Sequence, residues 1–141
     1  MTAQTMPIGN RSCRIYGEAH AEYLLLQMTG EHEVQSMDDE VAAIAQSAHQ
    51  FLFAAIPVEN WNDALSPWKS PAVWGKQGFG GNAADTLRFL TEQIIPSLKQ
   101  QYPLPENVKI ILGGYSLAGL FALWASTQAN LFCGIAAASQ I

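Results

Sequence analysis

Charge is scarce in this chain and vanishes toward its end. Asp, Glu, Lys and Arg make up 13% of the 141 residues, about half of the roughly 25% usual for a globular domain. All nineteen charges lie between Arg11 and Lys109, and none follows. With 49% hydrophobic residues, this excludes a disordered tail, a coiled coil and a solvated linker. The formal charge is -5 and no basic cluster exists, so a phosphate backbone finds no counter-charge and nucleic acid is excluded as a partner. Gly-x-Gly-x-x-Gly and Walker-type lysine loops are both absent, so phosphate cradling lacks its residues, and no metal or cofactor is expected. Only two cysteines occur, Cys13 and Cys133. They are far apart, which argues against a disulfide framework and for a reducing compartment. Residues 1–13 contain no apolar core of a secretory signal, so the expected location is cytoplasmic.

What is present is a set of apolar runs separated by helical patterns. At this length the chain reads as one domain, 1–141, able to bury roughly two-thirds of its unfolded surface. Tyr23–Met28 is an apolar run of strand length, closed by Thr29-Gly30. Ser36 reads as an N-cap followed by Asp38, Asp39 and Glu40 in a first turn, with Val41, Ile44, Ala45 and Ala48 at helical spacing to about His49. Phe51–Val58 is a second buried strand. Glu59–Asn82 reads as a long loop rich in Trp, Pro and Gly, a length usually kept for function. A helix follows from Ala83, with Pro96 expected to kink or end it. Val108–Leu112 is a short strand, Gly113–Gly119 a sharp turn, Leu120–Gln128 a helix and Phe132–Ala138 a last buried strand. A short edge strand is expected near Cys13–Tyr16. The alternation predicts an α/β fold, a mostly parallel sheet of about four or five strands flanked by helices. The uncharged stretch after Lys109 is long enough for a membrane span. Its Gly113, Gly114, Tyr115, Ser116, Gly119, Ser126 and Asn130 favour buried strand, turn and helix instead.

The chemistry is concentrated in Ile110-Ile111-Leu112-Gly113-Gly114-Tyr115-Ser116-Leu117-Ala118-Gly119-Leu120. A buried strand runs into Gly-x-Ser-x-x-Gly and then into an apolar helix. A serine at such a corner is lifted out of the sheet toward substrate, in a strained backbone conformation. Residues two before and two or three after it must be small, and Gly114, Ala118 and Gly119 are. The N–H of Leu117, at the helix start, is placed to donate to an oxyanion. The other reading is an ordinary strand-to-helix turn with an incidental serine. The commonest form of the motif has Gly where this chain has Ala118.

The corner resembles the nucleophile elbow of the α/β-hydrolases. The resemblance extends to the esterase family that includes esterase D and the enterochelin-esterase-like hydrolases. It rests on Val58-Glu59-Asn60-Trp61-Asn62-Asp63, Leu65-Ser66-Pro67-Trp68, Gly78-Phe79-Gly80-Gly81 and Gly114–Phe121. It covers what would be the N-terminal two-thirds of such a protein, a partial three-layer sandwich ending after the strand that follows the elbow. The family implies a carboxylic-ester hydrolase acting on a small-molecule ester, with Ser116 as nucleophile. It also implies a second oxyanion donor in the turn Thr29-Gly30-Glu31, here the N–H of Glu31; a plain turn with a solvated Glu is the alternative. The Trp-rich loop would cap the pocket, which makes His32, Trp61, Trp68 and Tyr115 candidates for its wall. Simple loop packing is the alternative for Trp61, Trp68 and Trp74.

A serine hydrolase also needs a base and a carboxylate that orients it, in the chain order Ser, acid, His. After Ser116 there is no Asp, Glu or His; His20, His32 and His49 all precede it. Three accounts follow. The chain is a piece of an esterase-like protein, weak or inactive by itself. His32, two residues after Gly30, substitutes as base. Or the missing strands come from another chain, with a homo-oligomer covering the exposed sheet edge at Phe132–Ala138. A non-catalytic binding module and a membrane-associated protein are the rival functions.

Overall fold

The computed structural model describes residues 3–30, 34–48, 50–71 and 78–138. Six strands form one mixed sheet in the order β1-β2-β4-β3-β7-β8. They are β1 (Gln4–Ile8), β2 (Arg11–Gly17), β3 (Tyr23–Thr29), β4 (Phe51–Pro57), β7 (Lys109–Tyr115) and β8 (Phe132–Ala138). β5 (Lys69–Ser70) and β6 (Phe79–Gly80) make a separate two-stranded ladder. The helices are α1 (Val34–Ser47), α2 (Trp61–Leu65), α3 (Ala83–Phe89), α4 (Ile95–Gln101) and α5 (Leu117–Gln128), with a π-helical turn at Leu90–Ile94 joining α3 to α4.

The expected parallel core is present: β3 pairs in parallel with β4 and β7, and β7 with β8. β4 explains why such a strand reads as a continuous apolar run. Phe51, Phe53 and Ala55 face a cluster with Met37 and Val41 of α1. Leu52, Ala54 and Ile56 face the main core with Leu90, Ile94, Leu98, Phe121 and Ala125. Both faces are covered, so alternation disappears.

Several expectations are corrected. The sheet has six strands, because residues 4–17 form an antiparallel hairpin, β1 with β2, and β2 adds antiparallel to β4. The hairpin turns at Gly9–Asn10 with Gly9 at φ 62°, the primed turn geometry whose twist suits a hairpin. Pro7, tolerated on an edge strand, weakens the strand pattern of β1. Ser36 does not cap α1, which begins two residues earlier; Asp38, Asp39 and Glu40 lie beyond the first turn. The expected end of that helix at His49 falls outside the described residues, and α1 closes at Ser47. Pro96 does not end its helix. It occupies the second position of α4, directly after the π-helical turn, where the wider turn accommodates the missing N–H. The turn at the motif is tighter than expected: β7 runs through Tyr115 and α5 starts at Leu117, leaving Ser116 alone as the corner. β8 is not buried. It is the open edge, with Cys133, Ala136 and Ala137 exposed.

Within Glu59–Asn82, the described residues 59–71 and 78–82 are also more ordered than a loop. The Ser66 hydroxyl donates to the Asn62 carbonyl at 2.6 Å and accepts from the Gly81 N–H at 2.8 Å. The Asn82 N–H reaches the Asp63 carbonyl at 2.8 Å and the Ala83 N–H the Ser66 carbonyl at 3.0 Å. A Cβ at Gly80 would lie 2.9 Å or less from the Asp63 side chain. These bonds tie α2 to the β5–β6 ladder and to the start of α3. No helix among the described residues is long and apolar enough to cross a membrane.

Candidate active site

Ser116 is the corner residue, at φ 56° and ψ -124°. An L-residue adopts this conformation at a cost on the order of 1–3 kcal/mol, and it persists only where the surroundings enforce it. One enforcing contact is visible at Gly114. A Cβ there would meet Ala118 Cβ at 2.6 Å, its carbonyl carbon at 2.7 Å and its carbonyl oxygen at 2.8 Å. Glycine lets the end of β7 and the first turn of α5 touch, and Ala118, fully buried, is small enough on the other side. The replacement of the usual Gly by Ala at 118 is therefore accommodated.

The corner puts the serine side chain outside. Ser116 is exposed while Gly114, Ala118 and Gly119 are buried. Its side chain makes no capping bond to α5; its carbonyl starts the helix instead, accepting from the Gly119 and Leu120 N–H groups at 3.0 and 3.2 Å. Leu117 stands at the first helical position, where an N–H has no acceptor within the helix. That group, at the positive end of the helix dipole, is available to charge developing beside Ser116.

The other expected site residues distribute unevenly. Trp61 opens α2, half-buried against the core. Its indole comes within 3.7 Å of where a Cβ would sit on Gly30, at the C-terminal end of β3. It thus flanks Gly30. Glu31 and His32 lie outside the described residues, as do Trp74 and Gly75. Trp68 is 62% exposed, and its backbone packs closely on Gly81, which has φ 76°. Tyr115 is half-buried on the face opposite Gly114, and its hydroxyl donates to Glu40 Oε1 at 3.1 Å.

Two residues near the corner had not been singled out. Glu40 of α1 also accepts from Gln27 Nε2 at 3.4 Å, and Gln27 is only 5% exposed. Together with Leu25, Ile44, Tyr115 and Ala137 they line a cavity of about 270 Å³ between α1 and the sheet. The available signal was Gln27 itself, the one amide inside the apolar run of β3. Among the described residues no group of three His, Cys, Asp or Glu is placed to hold a metal ion.

No family model and no curated protein matches the sequence. Solved structures do match in fold. An IroE-like serine hydrolase from Shewanella oneidensis superposes with TM-score 0.79 at 19% identity, over 95% of this chain and 49% of that one. The siderophore hydrolase EstA of Aspergillus nidulans gives 0.68 at 17%, over 95% and 56%. The enterochelin esterase of Shigella flexneri gives 0.68 at 18%, over 97% and 36%. The chain thus spans about half the length of the first two and about a third of the last. Its parallel core, its elbow and these matches assign one fold: that of the α/β-hydrolases, in the form found in IroE-like serine hydrolases and enterochelin esterases.

Proposed function

We propose that the chain is the nucleophile-bearing part of a carboxylic-ester hydrolase of the siderophore-esterase type. One observation carries the reading: Ser116 is exposed at φ 56° between β7 and α5. In this reading the Ser116 hydroxyl attacks the ester carbonyl and the Leu117 N–H, with that of Glu31, receives the oxyanion. The substrate is a small-molecule ester, and Trp61 beside Gly30 forms part of the pocket wall. No Asp, Glu or His follows Ser116 in the sequence, so attack by this chain alone is slow, and a complete site takes its acid and base from a further piece of protein. The unit 1–141 is one partial domain, working in the cytoplasm.

A fluorophosphonate probe tests the nucleophile, because it reacts with an activated serine hydroxyl. Slow labelling on Ser116, lost in Ser116→Ala, supports the reading. No labelling over hours, with the fold intact by circular dichroism, overturns it in favour of a binding module that keeps the fold without the chemistry.

A second proposal concerns the open edge. The edge strand β1 carries Pro7, but β8 carries no proline and no charge, the devices that keep edges from pairing. Leu120, Leu123 and Leu131 of the same uncharged segment are 42%, 53% and 37% exposed. We propose that a second copy of the chain covers it. Elution as a monomer at micromolar concentration on size-exclusion chromatography with light scattering overturns this.

A further inference from the structure

Gly114 meeting Ala118 constrains the corner from the α5 face of the sheet only. Side chains alternate along β7, so Tyr115 projects to the opposite face. There its hydroxyl donates to Glu40 Oε1 at 3.1 Å, and the second carboxylate oxygen accepts from Gln27 Nε2 at 3.4 Å. Gln27 pairs directly with Gly113 in the β3–β7 register. A Cβ on Gly113 would crowd the Ala136 carbonyl at 3.2 Å and lie in ordinary contact with Gln27 Oε1 at 3.8 Å. One carboxylate of α1 thus bonds Gln27 of β3 and Tyr115, the last residue of β7, and the next residue along is Ser116.

We propose that Glu40 is a positioning residue for Ser116: by gripping the Tyr115 hydroxyl it fixes the end of β7 on the face that α5 does not reach. Two clamps on opposite faces, Gly114 on Ala118 and Tyr115 on Glu40, then define the backbone at 116. A hydrogen bond to an ionised acceptor is stronger than one between neutral groups, and both partners here are half-buried. The bond therefore adds a side-chain tie to a strand end whose backbone is paired with β8 at Gly114 and Tyr115.

The labelling arm of the test rests on the nucleophile reading above; the hydrogen-exchange arm does not. Glu40→Ala and Tyr115→Phe both remove the grip. Glu40→Gln keeps an acceptor for Tyr115, and a rotated Gln27 amide can satisfy the new NH2 group. The amides of Gly119 and Leu120, bonded to the Ser116 carbonyl, report the corner. Loss of one such bond is expected to speed their exchange about tenfold in Glu40→Ala and Tyr115→Phe. In Glu40→Gln it should return to within about twofold of wild type, and the β1–β2 amides should not change in any variant. Fluorophosphonate labelling should fall about fivefold or more in the first two and recover in the third. Unchanged exchange at 119 and 120 in both Glu40→Ala and Tyr115→Phe overturns the proposal, as does exchange that rises equally across the sheet. If wild type takes no label, the nucleophile reading fails and exchange alone decides the role of Glu40. Should Glu40→Ala not fold, Tyr115→Phe, which removes one oxygen, carries the same comparison.

Discussion

Gly114→Ala is the sharpest probe of how the corner is built. The added methyl would lie 2.6–2.8 Å from three atoms of Ala118. Two of the three are backbone, so no side-chain rotation relieves the overlap. Either α5 moves away from β7 or the end of the strand bends. Overpacking of this kind costs about 1–3 kcal/mol. At about 3–4 °C per kcal/mol for a domain of this size, the midpoint of thermal unfolding should fall by about 3–12 °C. Gly134→Ala is the matched control. A Cβ there meets only Ile111 Cγ1, at 3.7 Å, ordinary van der Waals contact, and no positive φ opposes it. It should be neutral or should stabilise by up to about 1 kcal/mol through the unfolded chain. Thermal melts followed by circular dichroism compare the two. Equal midpoints for the two variants, or Gly114→Ala within 1 °C of wild type, would refute the claim that the close approach at 114 shapes the elbow.

Three further outcomes are expected. Ser116→Gly should raise stability by about 1 kcal/mol in urea titrations, because glycine adopts φ 56° without strain, whereas Ser116→Ala, still strained, should leave it unchanged; equal stabilities of the Gly and Ala variants would count against strain at the corner. Tyr16 and Arg14 hydrogen-bond to Asp38 Oδ1 and hold its carboxyl below the ordinary 3.8. A depressed carboxylate stabilises the fold above the unfolded-state value and loses that contribution as pH falls through the folded one, so Asp38→Asn should lower the urea midpoint at neutral pH, with the gap closing below 3.8; a gap unchanged in strong acid would contradict the pairing. Burial raises the Cys13 thiol to about 11, while Cys133 is exposed. Near pH 8 a disulfide reagent should therefore modify one thiol quickly, lost in Cys133→Ser, and the second only on unfolding.

The parts of the fold that were legible in the sequence are those buried on two faces. β3, β4 and β7 announce themselves as unbroken apolar runs because α1 covers one side and α3 to α5 the other. The corner was legible too, since Gly114, Ser116, Ala118 and Gly119 combine small size and a hydroxyl at fixed spacing. The strand near Cys13–Tyr16 was legible, but β1 escaped because Pro7 and Thr5 break the apolar pattern; β2 was read as an edge because its pairing with β4 joins segments some forty residues apart. The start of α1 was misread because Ser36 and Asp38 look like a cap and an acidic first turn. Asp38 serves Arg14 and Tyr16 instead, and Glu40 serves Tyr115, which are long-range roles invisible to local spacing. The open edge at Phe132–Ala138 was expected from the chain order, whereas the exposure of Cys133, Ala136 and Ala137 was not, because an uncharged run looks the same whether its faces are covered or not.

The strand order has a consequence for how the corner comes into being. β7 takes its place beside β3, pairing Tyr23 with Lys109, so its nearest neighbour in space was synthesised long before it. Contacts of that span form late and slowly, since loop closure comes before any reward from pairing. β1 to β4, by contrast, lie side by side and have shorter loops to close. Any early folding species assembled from those four strands would hold Ser116 on slack chain, without the twist that lifts its hydroxyl out. The strained corner at residue 116 is thus a property of the assembled sheet, absent from a nascent or partly melted form.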